Sequence, residues 1–234
     1  MEAEGKESAG LLPGVEYKVK LQCVVFDMDG TLTQTNQLIY ASFNFIAQKY
    51  AARTFSIPEI TAMFGPPEEE ALLHIVRQDQ MKEVMADYLN FYRSQHSRLA
   101  RLFPGIEDVL KFIKQHGLKM ALFTGKGTHT TTITLEEFGI KQYFDYVVTG
   151  DDVKNFKPSP EGLQKILSHF SLQPDEVLMV GDHVSDVKAS HDAGVKIAAV
   201  VWDSYTKDKV LLMKTDAVFH TVQELHRWLE VQLN

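Results

Sequence analysis

The fold of this chain is decided by residues 21–33, which read LQCVVFDMDGTLT. Residues 21–26 are a short apolar run with β-branched residues at the centre, which predicts a strand buried on both faces, as in a parallel sheet. The run stops at Asp27, and Gly30 allows the sharp turn that follows. Because Asp27 and Asp29 are two positions apart, their carboxylates lie on the same side at the end of a strand. Two anions so placed repel each other unless a cation lies between them, and oxygen ligands make Mg²⁺ the first candidate.

A simpler interpretation is a strand that ends in an Asp-Gly turn, since both residue types are common turn formers. That interpretation accounts for Asp29 and Gly30. It does not explain why Asp27 stands where the apolar run ends, or why Thr31 and Thr33 add hydroxyl groups to the same loop.

The composition indicates a soluble globular protein. The chain has 234 residues, of which 44% are hydrophobic and 24% charged, which fits one large domain or a core domain with a smaller insertion. The net charge of -7 argues against nucleic acid or an anionic membrane as a partner. The lone Cys23 lies inside the predicted strand and fits a small core residue in a reducing compartment.

Neither a signal peptide nor a membrane span is predicted. The first ten residues lack a basic start and an apolar segment, and no apolar run approaches the ~18 residues that a membrane span requires. We therefore expect a cytoplasmic protein, a monomer or weak homodimer, with neither nucleic acid nor membrane as a partner.

The chain divides into a leader, an α/β core and a helical insertion. Residues 1–17 are predicted to be a flexible leader, because glycine and proline interrupt them. Residues 34–102 show helical periodicity and no strand pattern, which predicts an all-helical cap with helices near 38–49, from Pro58, from Glu68 and at 81–98. The core would comprise residues 18–33 and 103–234.

In the second part of the core, helix and strand patterns alternate. Strands are predicted at 118–123, 146–149, 176–180, 196–202 and 217–219, and helices at 106–116, 130–138, 160–170, 185–193 and 222–233. This alternation is typical of right-handed βαβ units and predicts a doubly wound parallel sheet.

In such a sheet, ligands bind beyond the carboxyl ends of the strands, so the residues that follow each strand form the candidate site. Those residues supply carboxylates, a hydroxyl, a cation and glycine N–H groups that can approach an anion. They are Asp27, Asp29, Thr124, Gly125, Lys157, Asp182 and Asp186. Acids with a metal, a hydroxyl, a lysine and free N–H groups suit a phosphoryl group.

The order of these motifs resembles that of the haloacid dehalogenase-like hydrolase superfamily. The sequence has Asp-Met-Asp-Gly-Thr at 27–31, Thr124 at a strand end, Lys157 before a proline, and Gly-Asp-x-x-x-Asp at 181–186. The resemblance extends from about residue 20 to residue 230 and implies a Rossmann-like core. The insertion after the first motif resembles the cap of the branch that contains phosphoglycolate phosphatases, β-phosphoglucomutases and the namesake dehalogenases.

The resemblance implies the chemical roles of the acids. Asp27 would be the nucleophile that forms an aspartyl-phosphate, and Asp29 would be the general acid and then the base. Asp27, the main-chain carbonyl of Asp29 and Asp182 would hold Mg²⁺. Asp186 would orient the metal ligands or Lys157 without binding the ion itself.

The resemblance also implies how the phosphoryl group is held. Thr124 and the N–H of Gly125 would bind phosphoryl oxygens, and Lys157 would neutralise charge shared by the nucleophile and the phosphate. Lys126 is a further candidate for contact with an anionic substrate, although a solvated lysine at a helix start explains it equally well.

Asp29 separates the branches of the family, because dehalogenases and phosphonate-cleaving relatives lack an acid at that position. The sequence therefore favours a Mg²⁺-dependent phosphatase acting on a small phosphorylated metabolite, with phosphoglycolate-like compounds first and inorganic pyrophosphate or nucleoside monophosphates next. Two alternatives remain: a phosphomutase resembling β-phosphoglucomutase, and a binding protein that has kept the scaffold.

Several other residues are expected to have no role in the site. His183 could lie near the site but is expected to be a loop residue, and Arg53 and Arg93 could contact a substrate anion but are expected at the surface. Residues 64–66 could reach over the active site, as cap loops that set specificity do in the family that the chain resembles, but a plain turn between helices is expected. The acidic run at 68–70 is expected to be a solvated helix start.

Overall fold

A computed structural model of the protein describes residues 21–233. The predicted leader at 1–17 and residues 18–20 of the predicted core lie outside the described residues. In chain order the strands are β1 (Cys23–Phe26), β2 (Thr33–Gln34), β3 (Arg101–Leu102), β4 (Lys119–Phe123), β5 (Tyr146–Val148), β6 (Val177–Gly181), β7 (Lys196–Val200) and β8 (Ala217–Phe219). The helices are α1 (Asn36–Ala51), α2 (Ile57–Thr61), α3 (Glu68–Leu72), α4 (Met81–Leu99), α5 (Ile106–Gln115), α6 (Thr128–Glu137), α7 (Glu161–Phe170), α8 (Val184–Ala193), α9 (Lys207–Val210) and α10 (Val222–Leu233).

Six strands form one parallel sheet in the order β5-β4-β1-β6-β7-β8. The chain adds strands on one side of β1 and then crosses over to add strands on the other side. The carboxyl end of β1 is therefore the point where the winding direction reverses, which is where ligands bind in such sheets. The predicted α/β fold with a doubly wound sheet is confirmed.

The central strand alternates between two hydrophobic layers. Val24 and Phe26 pack into the layer that contains α5 and α10, and Cys23 and Val25 pack into the layer that contains α7 and α8. All four side chains are fully buried. This burial on both faces explains why β1 is continuously apolar, whereas a strand with one solvated face would alternate.

The four helices α1 to α4 pack around a third hydrophobic cluster, which includes Phe43, Ile46 and Tyr88 and is joined by Ile133 of α6. The short strands β2 and β3 pair antiparallel, with Thr33 opposite Leu102 and Gln34 opposite Arg101. A strand at 101–102 was not expected, because two residues are too few to show a period. Strand β2 precedes the helical stretch and β3 follows it, so their pairing brings the two ends of that stretch together. The division into cap and core at residues 34 and 102 stays a prediction.

Other boundaries differ from the predicted ones by one or two residues. Helix α7 begins at Glu161, one residue after Pro160, and the Ser159 hydroxyl accepts the Glu161 N–H at 3.3 Å. Helix α6 begins at Thr128, two residues earlier than predicted. Between residues 21 and 233, none of the helices combines the length and the apolar character needed to cross a bilayer.

Candidate active site

Lys157 connects three strand ends at the switch point of the sheet. Its Nζ donates to Oδ1 of Asp27, which follows β1, and to Oδ1 of Asp186 at 2.7 Å, in the first turn of α8. It also donates to the carbonyl oxygen of Phe123 at 3.1 Å, at the end of β4. Because an ammonium group has three N–H donors, every donor of Lys157 is engaged. Although burial opposes the change, the carboxylates of Asp186 and Asp27 raise the pKa of Lys157, so it is a cation.

The carboxylates of Asp27, Asp182 and Asp186 form a cluster that fits a divalent cation. Each offers one oxygen, these oxygens lie within 4.8 Å of one another, and all three residues are buried. Burial raises the pKa of Asp27 to about 7 against the opposing charge of Lys157. Burial and the neighbouring charges of Asp27 and Asp186 raise the pKa of Asp182 well above its ordinary value. Buried acids with one lysine among them lack positive charge, and oxygen ligands suit Mg²⁺.

The Asp29 carboxylate belongs to a different set of contacts. Its Oδ1 accepts hydrogen bonds from the hydroxyls of Thr35 and, at 3.5 Å, Thr33. Its Oδ2 lies 3.5 Å from Nζ of Lys126. Asp29 is therefore absent from the group of three clustered carboxylates, and its expected metal contact through the main-chain carbonyl stays a prediction.

Gly30 lets the loop after β1 approach Asp182. Its φ is +86°, a conformation that favours glycine, and a Cβ on this residue would lie 2.5 Å from Oδ2 of Asp182. The hydroxyl of Thr31 donates to Oδ1 of the same carboxylate at 3.1 Å. The Asp-Gly-Thr part of the first motif therefore orients an acid that comes from β6, more than a hundred residues later in the chain.

Thr124 and Gly125 line the same cavity, at the end of β4. The Thr124 N–H donates to the carbonyl of Val148 at 3.0 Å, and the Thr124 hydroxyl accepts the N–H of Lys126 at 3.2 Å. The structure thus brings both residues to the carboxylate cluster, and their contact with phosphoryl oxygens stays a prediction.

The turn at 64–66 lies over the site, so the expectation of a plain inter-helix turn is wrong. Phe64, Gly65 and Pro66 line the cavity. A Cβ on Gly125 of the core would lie 3.2 Å from the carbonyl oxygen of Gly65, which shows how closely the two backbones approach. The cavity between the helical cap and the sheet has a volume of about 360 Å³.

Glu68 contacts the core, so the expectation of a solvated acidic run is wrong at this position. Its side chain is only 8% exposed. It accepts the N–H of Gly127 at 2.7 Å and the hydroxyl of Thr130 at 2.7 Å, both at the start of α6. The signal lies in the helical spacing, because Ala71 and Leu72, three and four residues later, are buried and apolar.

Lys126 is buried between two acids and is not the solvated lysine of the simpler interpretation. Its Nζ lies 3.5 Å from Oδ2 of Asp29, 3.5 Å from Oε1 of Glu68, and 4.9 Å from the centre of the Tyr92 ring. Although burial opposes it, the charge of Asp29 and its other neighbours raise the pKa of Lys126 well above the ordinary value. Its direct contact with substrate stays a prediction.

His183 caps α8 and also lines the cavity. Its Nδ1 accepts the N–H of Ser185 at 3.2 Å, and its ring lies 5.1 Å from that of Tyr205. Sequence reasoning missed Tyr205, since it follows β7 in a stretch without a motif. Arg53 and Arg93 lie at the surface, as expected, where they pair with glutamates.

The sequence is similar to known hydrolases over most of its length. Residues 24–200 match the family described as Haloacid dehalogenase-like hydrolase. The chain is 31% identical to the pyrophosphatase PpaX of Bacillus cereus (strain B4264) over 207 residues, which cover 88% of this chain and 95% of that protein.

Solved structures share the fold. A predicted phosphoglycolate phosphatase from Haemophilus somnus 129pt superposes with a TM-score of 0.77 at 21% identity, covering 91% of this chain and 99% of that one. CbbY from Rhodobacter sphaeroides, solved in complex with phosphate, has a TM-score of 0.75 at 20% identity and covers 88% of this chain and 96% of that one. At these identities the likeness concerns the fold alone.

The switch point of the parallel sheet gathers carboxylates around a lysine beneath the helical cap, an arrangement that suits a divalent cation. The chain belongs to the haloacid dehalogenase-like hydrolase family. The family expected from the sequence is thereby confirmed, and the relatives support the expected enzyme class, a phosphatase.

Proposed function

We propose that the protein is a Mg²⁺-dependent phosphatase that hydrolyses a small phosphomonoester through an aspartyl-phosphate. The observation that carries this proposal is the hydrogen bonding of Lys157 to both Asp27 and Asp186 at the end of the central strand. A fixed cation beside a buried carboxylate is what an anionic nucleophile needs to receive a dianionic phosphate.

In the first step, a carboxylate oxygen of Asp27 forms a bond to phosphorus while the bond to the leaving oxygen breaks. The hydrogen bond from Lys157 favours the ionised form of Asp27, which is the form that attacks. Asp29 donates a proton to the leaving oxygen. In the second step Asp29 takes a proton from a water molecule. The water oxygen attacks phosphorus, and the bond between phosphorus and the Asp27 oxygen breaks to release phosphate.

Asp27, the main-chain carbonyl of Asp29 and Asp182 would hold the Mg²⁺ ion. The carboxylate of Asp186, which lies in one cluster with those of Asp27 and Asp182, would orient the ligands. When bound, the ion screens the repulsion between the phosphate and the carboxylates and neutralises charge on the phosphoryl oxygens. Thr31 keeps Asp182 in place, and Lys157 keeps Asp186 in place, because each donates a hydrogen bond to the carboxylate.

The first experiment measures release of phosphate from an aryl phosphate with Mg²⁺, with EDTA, and with the variant Asp27→Asn. We expect activity that EDTA abolishes, and a loss of at least about 10³-fold in Asp27→Asn, because the nucleophile is removed. Asp175→Asn is the matched control, since Asp175 is exposed and precedes β6 at the other end of the sheet. A wild-type protein that is inert with Mg²⁺ on a broad panel of phosphate esters would refute the proposal.

The role of Asp29 is tested by comparing leaving groups. An alkyl alcohol needs a proton when it leaves, whereas p-nitrophenolate leaves without one. We therefore expect Asp29→Asn to lower kcat/KM for an alkyl phosphate by about 10²–10⁴-fold and to lower it much less for p-nitrophenyl phosphate. An equal loss on both substrates would exclude Asp29 as the acid of the first step.

A pyrophosphatase is the second candidate, because the similar protein from Bacillus cereus carries that name. A phosphomutase of the β-phosphoglucomutase type remains the third. Phosphate release from inorganic pyrophosphate tests the pyrophosphatase, and the ratio of product isomer to free phosphate on a sugar phosphate tests the phosphomutase.

We also propose a cytoplasmic location and a monomer or weak homodimer. Size-exclusion chromatography checks the oligomeric state.

A further inference from the structure

The cavity above the carboxylates has two unlike walls. The core side supplies all the charged groups of the lining except Glu68, whereas the cap side is mostly apolar. Of the described cap residues that line the cavity, only Asn36 and Glu68 have polar side chains. The large cap side chains in this lining are Ile39, Phe43, Met63 and Phe64.

Within residues 21–233, the cap contributes no lysine or arginine to the lining that could bind a second anionic group. Three lysines line the cavity, and all come from the core. Lys157 is engaged by Asp27 and Asp186, and Lys126 lies between Asp29 and Glu68. The third, Lys188, is exposed on α8.

The charge balance of the lining also argues against a second anionic group on the substrate. Five carboxylates line the cavity against three lysines, so the described lining carries an excess of two negative charges when every carboxylate is ionised and His183 is neutral. A divalent cation would only cancel that excess before the phosphoryl group enters. A substrate with a further phosphate or carboxylate would place additional negative charge near Glu68. The cation within reach there is Lys126, whose charge already balances Asp29 and Glu68.

The size of the cavity also exceeds what a two-carbon acid needs. A volume of about 360 Å³ is in the range of pockets that hold organic ligands, which begin at about 300 Å³. Inorganic pyrophosphate or phosphoglycolate would leave much of the apolar wall facing water. A substrate with an apolar group would cover that surface and gain binding free energy from its removal from water.

Phe64 is fixed in the wall by rings from both sides of the cavity. Its ring stacks on Tyr40 of α1 with centres 6.2 Å apart, and meets Tyr205 of the core edge to face at 6.4 Å. A ring held in this way presents a preformed apolar surface, which reduces the entropic cost of binding a leaving group against it.

We propose that the substrate is a phosphomonoester whose leaving group is uncharged and largely apolar, and that Phe64, Met63, Phe43 and Ile39 select it. This inference rests on the proposed phosphatase function and specifies the substrate class for the same site. It separates this chain from the pyrophosphatase and the phosphoglycolate phosphatase that it resembles.

The first test compares kcat/KM for benzyl phosphate, phosphoglycolate and inorganic pyrophosphate with Mg²⁺. We expect benzyl phosphate to be preferred by at least about tenfold over both anionic compounds. Equal or better turnover of phosphoglycolate or pyrophosphate overturns the inference and leaves the phosphatase proposal standing. If none of a broad panel of phosphate esters is hydrolysed, the phosphatase proposal itself fails.

The second test changes the wall. Phe64→Ala should lower kcat/KM for benzyl phosphate by about tenfold and leave ethyl phosphate within about twofold, because only the larger group covers the ring. An equal loss on both esters would mean that Phe64 acts only through the structure of the cap, which overturns its selective role.

A positive charge added to the apolar wall provides an independent test. Met63→Lys adds a cation to the wall at a half-exposed position and should raise the ratio of phosphoglycolate to benzyl phosphate turnover by about tenfold. Leu73→Lys adds the same charge to the cap at a side chain that is 42% exposed and outside the cavity, and should leave the ratio unchanged. An equal response to both substitutions would overturn the inference.

Discussion

Glu68 is the side chain whose replacement best tests how the cap is held on the core. Glu68→Gln keeps the shape and removes the charge. The glutamate receives two hydrogen bonds on two different oxygens, from Gly127 and Thr130, whereas a glutamine has one acceptor oxygen. If that oxygen accepts the Gly127 N–H, the Thr130 hydroxyl keeps only its hydrogen bond to the Gly127 carbonyl, at 3.1 Å. Lys126 then keeps only Asp29 as a close acid.

The expected magnitude follows from these contacts. A hydrogen bond to a charged group contributes about 1.5–3 kcal/mol, against about 0.5–1.5 kcal/mol for one between neutral groups. The substitution weakens the bond from Gly127 and removes the one from Thr130. We expect Glu68→Gln to lower the free energy of unfolding by about 2 kcal/mol. Glu68→Ala should lower it by about 3–5 kcal/mol, the usual cost of removing one member of a buried ion pair.

Urea unfolding followed by circular dichroism and tryptophan fluorescence measures this loss. Glu69→Gln is the matched control, since Glu69 is the next residue of α3 and is exposed, and surface substitutions stay within about 0.5 kcal/mol. We also expect Glu68→Gln to lower kcat/KM, because Glu68 holds Lys126 beside Asp29. If Glu68→Gln and Glu69→Gln unfold within about 0.5 kcal/mol of each other, the buried contact is not stabilising and the reasoning is refuted.

Three further predictions concern other buried positions. Burial raises the pKa of the Cys23 thiol to about 12, so a thiol-reactive disulfide should label the protein only after unfolding in urea, and labelling of the native protein would contradict this burial. Burial lowers the pKa of His96 in the folded protein. As the pH falls below about 6.5, His96 is protonated in the unfolded chain before it is protonated in the folded protein, so the free energy of unfolding of the wild type should decrease with falling pH. The variant His96→Phe should lack that part of the drop in urea titrations at several pH values, and an unchanged pH dependence would exclude His96. Gly30→Ala places a Cβ against Asp182 at a positive φ and should lower kcat/KM with Mg²⁺ by at least about tenfold, with wild-type activity as the contrary result.

The core was predictable because its signals are local. Each strand of the main sheet is a short apolar run bounded by turn residues, and burial on both faces of β1 makes its run continuous. The carboxyl ends of parallel strands share one edge, so the sequence alone was enough to expect Asp27, Lys157, Asp182 and Asp186 together. Of the other predicted acids, Asp182 and Asp186 place their carboxylates in the cluster with Asp27, whereas the carboxylate of Asp29 lies outside it.

The contacts between cap and core were not predictable, because they join residues far apart in the chain. The burial of Lys126 depends on Glu68 and Asp29, which lie in other elements, and no local pattern distinguishes it from a solvated lysine. The strand β3 and the helix α9 are only two and four residues long, which is too short for a hydrophobic period to appear.

The ribbon of β2 and β3 has a consequence for how this enzyme could diversify. Since Thr33 faces Leu102 and Gln34 faces Arg101, the polypeptide leaves the sheet and rejoins it at neighbouring points. The intervening segment is thus a topological side branch, and its removal or replacement leaves the connectivity of the remaining strands intact. Evolution could replace the helical cap by a different insertion at this point. Such a replacement would change which substrates bind and leave the residues at the edge of the sheet unchanged.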